Sequence, residues 1–254
     1  MISGVDSGRH LALMHGWGLG SAVWQPVVEP LSRRYRVHLV DLPGYGQSPD
    51  DDAAFDETAQ TVVDALPHPI ILCGWSLGAM LAMRAALLAP QRVTGLVLVG
   101  ATASFTQRSG WPEAQPPALL DIFSDSITRQ PEQTLQRFVA LLCQGDHQAR
   151  SLTRMLRAGL RNAPVPASTV LSRGLHWLRE VDLRALLPAL TTRSLLIHGE
   201  NDALNPLAAA RRLAGLLPDA RLEVFAGTGH APFLADPQRF IQLLDDFRDA
   251  HTIS

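Results

Sequence analysis

Ile70-Ile71-Leu72-Cys73-Gly74-Trp75-Ser76-Leu77-Gly78-Ala79-Met80-Leu81 is the stretch whose reading decides the fold. A short β-branched and apolar run, then Gly-x-Ser-x-Gly, then an Ala/Leu/Met-rich segment spells strand, sharp turn and helix, with Ser76 at the apex. Such an elbow lifts a serine hydroxyl out of the sheet as a nucleophile. It also forces the serine into a strained backbone conformation, and strand and helix pass so closely there that Gly74 and Gly78 must lack a Cβ. The segment from Leu77 to about Ala89 is apolar all round, as a helix buried against a sheet should be, and its positive N-terminal end points at whatever Ser76 attacks. The pentapeptide alone is common by chance. Its strand-before, helix-after setting gives it weight.

Upstream of the elbow, the first eight residues are too short and polar for a full edge strand, so one there is expected to be weak or missing. His10 to Met14 is the first credible strand. It ends in His15-Gly16-Trp17-Gly18, a glycine-flanked loop able to turn a backbone N–H inward beside the elbow. An oxyanion hole needs such a donor in addition to the N–H after the nucleophile, so Trp17 and Leu77 are assigned as its amides. Tyr35 to Leu42 is the next strand, closed by the turn-forming run Pro43 to Ser48. Asp41, preceding Ser76, reads as a loop-bracing carboxylate, and Phe55 to Leu66 carries helical spacing.

Downstream, Val93 to Gly100 is a continuous apolar run of parallel-strand type. From about Ala103 to Leu187 the strand pattern stops, and Pro116–Thr128, Pro131–Gln144, His147–Asn162 and Ala167–Glu180 show helical apolar spacing. Pro116 and Pro131 suit first helical positions. Strands resume at Ser194–His198 and Arg221–Phe225, with a helix near Leu207–Leu217 between them. Strands alternating with helices mean a doubly wound, mostly parallel α/β sheet whose ligands bind beyond the carboxyl ends of the strands. Residues 1–102 and 188–254 are expected to form the core, and 103–187 a helical cap over the site within one domain unit.

Ser76, Asp202 and His230 each follow such a strand end. A serine hydroxyl needs a base to take its proton and a carboxylate to hold that base in the right tautomer; the order Ser76, Asp202, His230 supplies all three, and it is the order of the α/β-hydrolases. Singly, Asp202 could be a helix cap and His230 a loop hydrogen-bonder. Jointly, and in that order, they read as a catalytic triad. Serine at the elbow favours ester, thioester or amide cleavage over the aspartate chemistry of dehalogenases and epoxide hydrolases.

Composition narrows the setting. Of 254 residues 46% are hydrophobic and 18% charged, a globular balance without repeats or low-complexity tracts. The N-terminus lacks the features of a signal peptide, and no apolar run approaches a membrane span, so a cytoplasmic protein without membrane partners is expected. Cys73 and Cys143 fit that compartment as packed thiols. The net charge of −2 argues against nucleic-acid binding, although all 22 basic residues are arginine. The scattered histidines suggest no metal, and no cofactor is implied. On a helix from His147 to Asn162, Arg150, Arg154, Arg157 and Arg161 form a stripe opposite Leu152, Met155, Leu156 and Leu160. Residues 103–184 hold 10 Arg against 7 Asp/Glu, net +3, and the remainder 12 against 17, net −5. The stripe is either a solvated face or a surface that steers an acidic partner to the site.

With those residues in view, nearly the whole chain resembles the pimeloyl-[acyl-carrier protein] methyl ester esterases of biotin synthesis, within the α/β-hydrolase superfamily. The likeness rests on His15-Gly16-Trp17-Gly18-Leu19 with Val23-Trp24, Leu39 to Gly44, Gly74-Trp75-Ser76-Leu77-Gly78, Trp111-Pro112, Arg137-Phe138 with Ala140-Leu141, Val181 to Arg184, and Gly229-His230-Ala231-Pro232-Phe233. It implies that arginines of a cap helix bind acidic acyl carrier protein bearing a dicarboxylyl methyl ester. Arg137, Arg150 and Arg154 match those positions, and Arg157, on the same stripe, is expected to bind the carrier with them. Trp17 and Phe138 would lie near the acyl chain, and a monomer is expected. Gln133 falls where another arginine is usual, and Ala79 where glycine is usual. A general short-chain esterase, a menaquinone-pathway type of enzyme and a non-catalytic ligand receptor on this scaffold are the alternatives.

Overall fold

Continuous apolar runs such as Ile70 to Cys73 cannot face water on either side, so they pair where helices cover both faces. All four of those residues are buried. In the computed structural model the described residues are 2–3 and 9–249. The strands β1 (Ile2–Ser3), β2 (His10–Met14), β3 (Arg36–Val40), β4 (Ile70–Trp75), β5 (Val93–Val99), β6 (Ser194–Gly199) and β7 (Ala220–Phe225) form one sheet. Its order is β1-β3-β2-β4-β5-β6-β7. Every pairing is parallel except β1 with β3. The expected weak edge strand is therefore present, as two antiparallel residues.

The helices are α1 (Gln25–Ser32), α2 (Phe55–Ala65), α3 (Leu77–Leu88), α4 (Pro117–Ile127), α5 (Pro131–Leu142), α6 (Ala149–Asn162), α7 (Ser168–Glu180), α8 (Leu207–Leu216), α9 (Pro232–Ala235) and α10 (Pro237–Asp249). Buried α3 packs on β4 and β5, and α8 packs on β6 and β7. The helix expected to begin at Pro116 starts one residue later, because Pro116 takes an extended conformation (ψ 139°) and Pro117 fills the first helical position. Helices α1, α9 and α10 were not expected from the sequence. An internal Pro30 obscures the pattern of α1, and α9 is only four residues long. Helix α10 does carry a readable apolar face, burying Phe240, Leu243, Leu244 and Phe247.

Between β5 and β6 the four helices α4–α7 pack on one another, α4 against α5 and α7, and α5 against α6. The excursion is pinched shut at its base, where Ser104 bridges Asp182 and the Ala103 carbonyl accepts the Leu183 amide at 2.9 Å. Strand β2 lies between β3 and β4, so the sequence order reverses there. Met14 is paired with Gly74, which sets the loop after β2 directly beside the elbow at the sheet's switch point.

Candidate active site

Ser76 sits between β4 and α3 at φ 56° and ψ −117°, a conformation L-residues rarely adopt. Both elbow glycines are required by close approach. A methyl group on Gly78 would come within 2.5 Å of the His15 carbonyl oxygen, and one on Gly74 would collide with the Gly78 backbone. The Ser76 amide donates to the Val99 carbonyl at 2.9 Å, tying the elbow to β5.

The loop after β2 runs alongside. A methyl on Gly16 would lie 3.2 Å from Ser76 Cβ. Neutral His15 braces this loop by donating from Nδ1 to the Gly16 carbonyl at 2.7 Å and accepting the Leu42 amide on Nε2 at 3.1 Å. Burial holds its pKa down at about 4, which keeps that donor–acceptor arrangement intact. The Tyr45 ring lies tilted against His15 at 4.5 Å, and its hydroxyl accepts the Gly18 amide at 3.0 Å. Leu77, as the first residue of α3, has an amide without an intrahelical acceptor, and the Trp17 amide has no backbone acceptor among the described residues. The Trp17 indole donates to the Leu171 carbonyl of α7 at 2.8 Å and meets Phe138 edge-on at 4.7 Å. Asp41 braces as expected, accepting the Ser21 amide at 2.8 Å.

Asp202 and His230 are both buried and joined by a 2.7 Å bond from His230 Nδ1 to Asp202 Oδ2. The other carboxylate oxygen, Oδ1, accepts the Leu204 and Asn205 amides at 2.9 and 2.8 Å. Burial by itself raises the Asp202 pKa, but the charge and hydrogen bond of His230, with His198 and the Asn205 amide, outweigh it and hold the carboxyl below its usual range. Burial lowers the pKa of His198, whose Nε2 lies 2.7 Å from the Asn205 carbonyl and 3.4 Å from Asp202 Oδ2. Asn205 in turn donates from Nδ2 to the Gly100 carbonyl at 2.6 Å. Gly100, at φ 52°, lies against the His230 ring, where a methyl would come within 3.1 Å of it.

The elbow also grips the histidine loop, since Trp75 Nε1 donates to the His230 carbonyl at 2.8 Å. His230 Nε2 is buried without a hydrogen-bond partner among the described residues. Sequence reasoning assigned no role to His15, Tyr45, Trp75, His198 or Asn205. His15 and Trp75 stood inside quoted motifs, and Asn205, three residues past Asp202, carried no spacing signal. Among the described residues no group of three or more His, Cys, Asp or Glu is gathered to hold a metal ion.

The expected arginines divide. Arg137, Arg150, Arg154 and Arg161 are exposed. Arg157 departs from the stripe. It is half-buried and donates to the Gln136 carbonyl at 3.2 Å, because its long side chain packs back over α5. The opposite face of α6 is also less covered than expected, with Leu152 and Leu156 buried but Met155 39% exposed.

The chain belongs to the alpha/beta hydrolase fold family, whose model matches residues 9–237. Among solved structures it is similar to an esterase from Exiguobacterium antarcticum, with a TM-score of 0.86 and 26% identity over 97% of this chain and 94% of that one. Among curated proteins it is 42% identical to the pimeloyl-[acyl-carrier protein] methyl ester esterase of Nitrosomonas europaea, over 96% of this chain and 97% of the relative. It is 41% identical to the protein of that name from Photobacterium profundum, over 94% of each.

Proposed function

We propose that this protein is a serine carboxylesterase that hydrolyses the methyl ester of pimeloyl-[acyl-carrier protein] in biotin precursor synthesis. The observation that carries the reading is the buried 2.7 Å Asp202–His230 pair beside a serine strained at φ 56°. Near full-length likeness to esterases of that name supplies the substrate.

Ser76 Oγ attacks the ester carbonyl carbon as His230 Nε2 takes its proton, and the Trp17 and Leu77 amides hold the resulting oxyanion. Asp202 stabilises the imidazolium. Collapse expels the methoxy group, which receives the proton from His230 and leaves as methanol. Water then gives a proton to His230 and attacks the acyl-enzyme, freeing the carboxylate and returning the proton to Ser76. Residues 103–187 serve as the cap. Trp17 and Phe138 line the acyl path, and Arg137, Arg150 and Arg154 dock the acidic carrier.

The test is methanol release from the carrier-bound methyl ester by purified enzyme, alongside growth without biotin of a strain lacking this esterase. Wild-type protein should pass both. Ser76→Ala should fold normally yet lose activity by several orders of magnitude, and turnover retained by that variant would sink the assignment. Equal efficiency on free and carrier-bound methyl esters would point instead to a general short-chain esterase.

A further inference from the structure

Asp146 lies in the turn between α5 and α6, outside the triad, yet its side chain is only 1% exposed. Its two oxygens serve different elements. Oδ1 accepts the Gln148 amide at 2.7 Å at the root of α6, and Oδ2 accepts the amide of Gly229, the residue before His230, at 2.8 Å. The turn leading into α6 needs the first bond alone. The second runs to the catalytic loop.

The rest of the turn reinforces that attachment. The Leu142 carbonyl accepts the His230 amide at 3.2 Å, and the Gly227 carbonyl accepts both the amide and the Nδ1 proton of His147 at 2.9 Å. Asn201, next to Asp202, donates from Nδ2 to the Gly145 carbonyl at 2.9 Å. Gly229 fits tightly, since a methyl there would lie 3.2 Å from the Leu142 and Gln144 carbonyl oxygens. A carboxylate accepting backbone amides makes a strong bond, and its removal would leave the Gly229 donor buried and unpaired.

We propose that Asp146 is a positioning residue for His230. It fixes the Gly229–His230 backbone so that Nε2 is presented to Ser76, and it ties that placement to the root of α6, the helix bearing Arg150 and Arg154. This inference rests on the triad reading above.

The experiment compares Asp146→Ala, Asp146→Asn, Gly229→Ala and Gln148→Ala on p-nitrophenyl butyrate, a free ester that needs no carrier docking. Displacement of a catalytic group by about 1 Å can cost roughly 100-fold, so Asp146→Ala should lose about 10- to 100-fold in kcat with KM nearly unchanged. Asp146→Asn, which keeps one acceptor, should recover part of that loss. Gly229→Ala strains the same joint from the other side and should show the same kcat-selective loss, so the test survives if Asp146→Ala does not fold. Gln148→Ala removes side-chain bonds to the Ala235 carbonyl and to His147 Nε2 but leaves both Asp146 bonds in place, and it should keep wild-type kcat.

A second readout is the far-downfield proton resonance of the His230–Asp202 hydrogen bond, identified by its loss in Asp202→Asn. It should broaden in Asp146→Ala. A lowered melting temperature with kcat and that resonance intact would make Asp146 only a brace of the turn into α6 and overturn the proposal, as would unchanged kcat in both Asp146→Asn and Gly229→Ala. Turnover by Ser76→Ala would refute the triad itself, while the resonance would still report on Asp146.

Discussion

Asp41 and Asp202 each follow a parallel strand, and their surroundings separate them. Asp41 is half-buried and accepts the Ser21 amide, whereas Asp202 is buried against His230 and fixed by two further amides. Asp202→Asn replaces an acceptor with a donor facing Nδ1 and favours the wrong imidazole tautomer. It should lower kcat by roughly 10⁴-fold, while Asp41→Asn keeps near wild-type kcat. Steady-state kinetics of the two variants on a small ester decide the point, and the reverse ranking would mean that Asp41 is the acid.

Helix α6 has one charged, exposed face and one partly buried apolar face. Its exposed Arg150 and Arg154 lie on the outer side, away from buried Leu152 and Leu156. Steering by such charges acts on encounter and is screened by salt. Reversing both to glutamate should therefore lower kcat/KM for the carrier-bound ester by roughly 10-fold or more at low salt, with a smaller loss at high salt. Hydrolysis of a free ester should barely change. Equal losses on both substrates would indicate damaged packing among α4–α7, and no loss on either would return the stripe to a solvated face. Arg157 is left out of this pair because its bond to α5 gives it a packing role.

Across the whole molecule, several buried groups make the fold sensitive to acid. An unfolded histidine binds a proton near pH 6.5, but buried His15 resists to about 4, and burial pushes His38 and His198 the same way. Between those values the unfolded chain holds more protons than the native one, so stability rises with pH and is lost on acidification from about 6.5 towards 4. Asp202 adds to this at lower pH. Its native pKa is depressed, so its contribution is present above the unfolded carboxyl pKa of about 3.9 and disappears as pH falls through the native value. The thermal midpoint should be level from about pH 7 to 8 and fall steadily below about 6.5. His15→Gln should flatten part of that slope, and a midpoint constant from about pH 7 to 4.5 would contradict the account.

The sequence by itself determined the parallel sheet, the elbow, the helical excursion and the order of Ser76, Asp202 and His230. These are written in local periodicity, in glycines at forced approaches and in turn chemistry, all of which act over a few residues. It also located α5 and α6 to within a few residues. Tertiary structure alone decided what holds the site. Asn205 on the Gly100 carbonyl, Trp75 on the His230 carbonyl and Asp146 on the Gly229 amide join residues 83 to 155 positions apart. The same holds for Arg157, whose helical spacing put it on the solvent stripe while a neighbouring helix drew it back. Spacing fixes the direction in which a side chain leaves its own element, but its partner depends on how elements pack across the fold, and no local pattern encodes that.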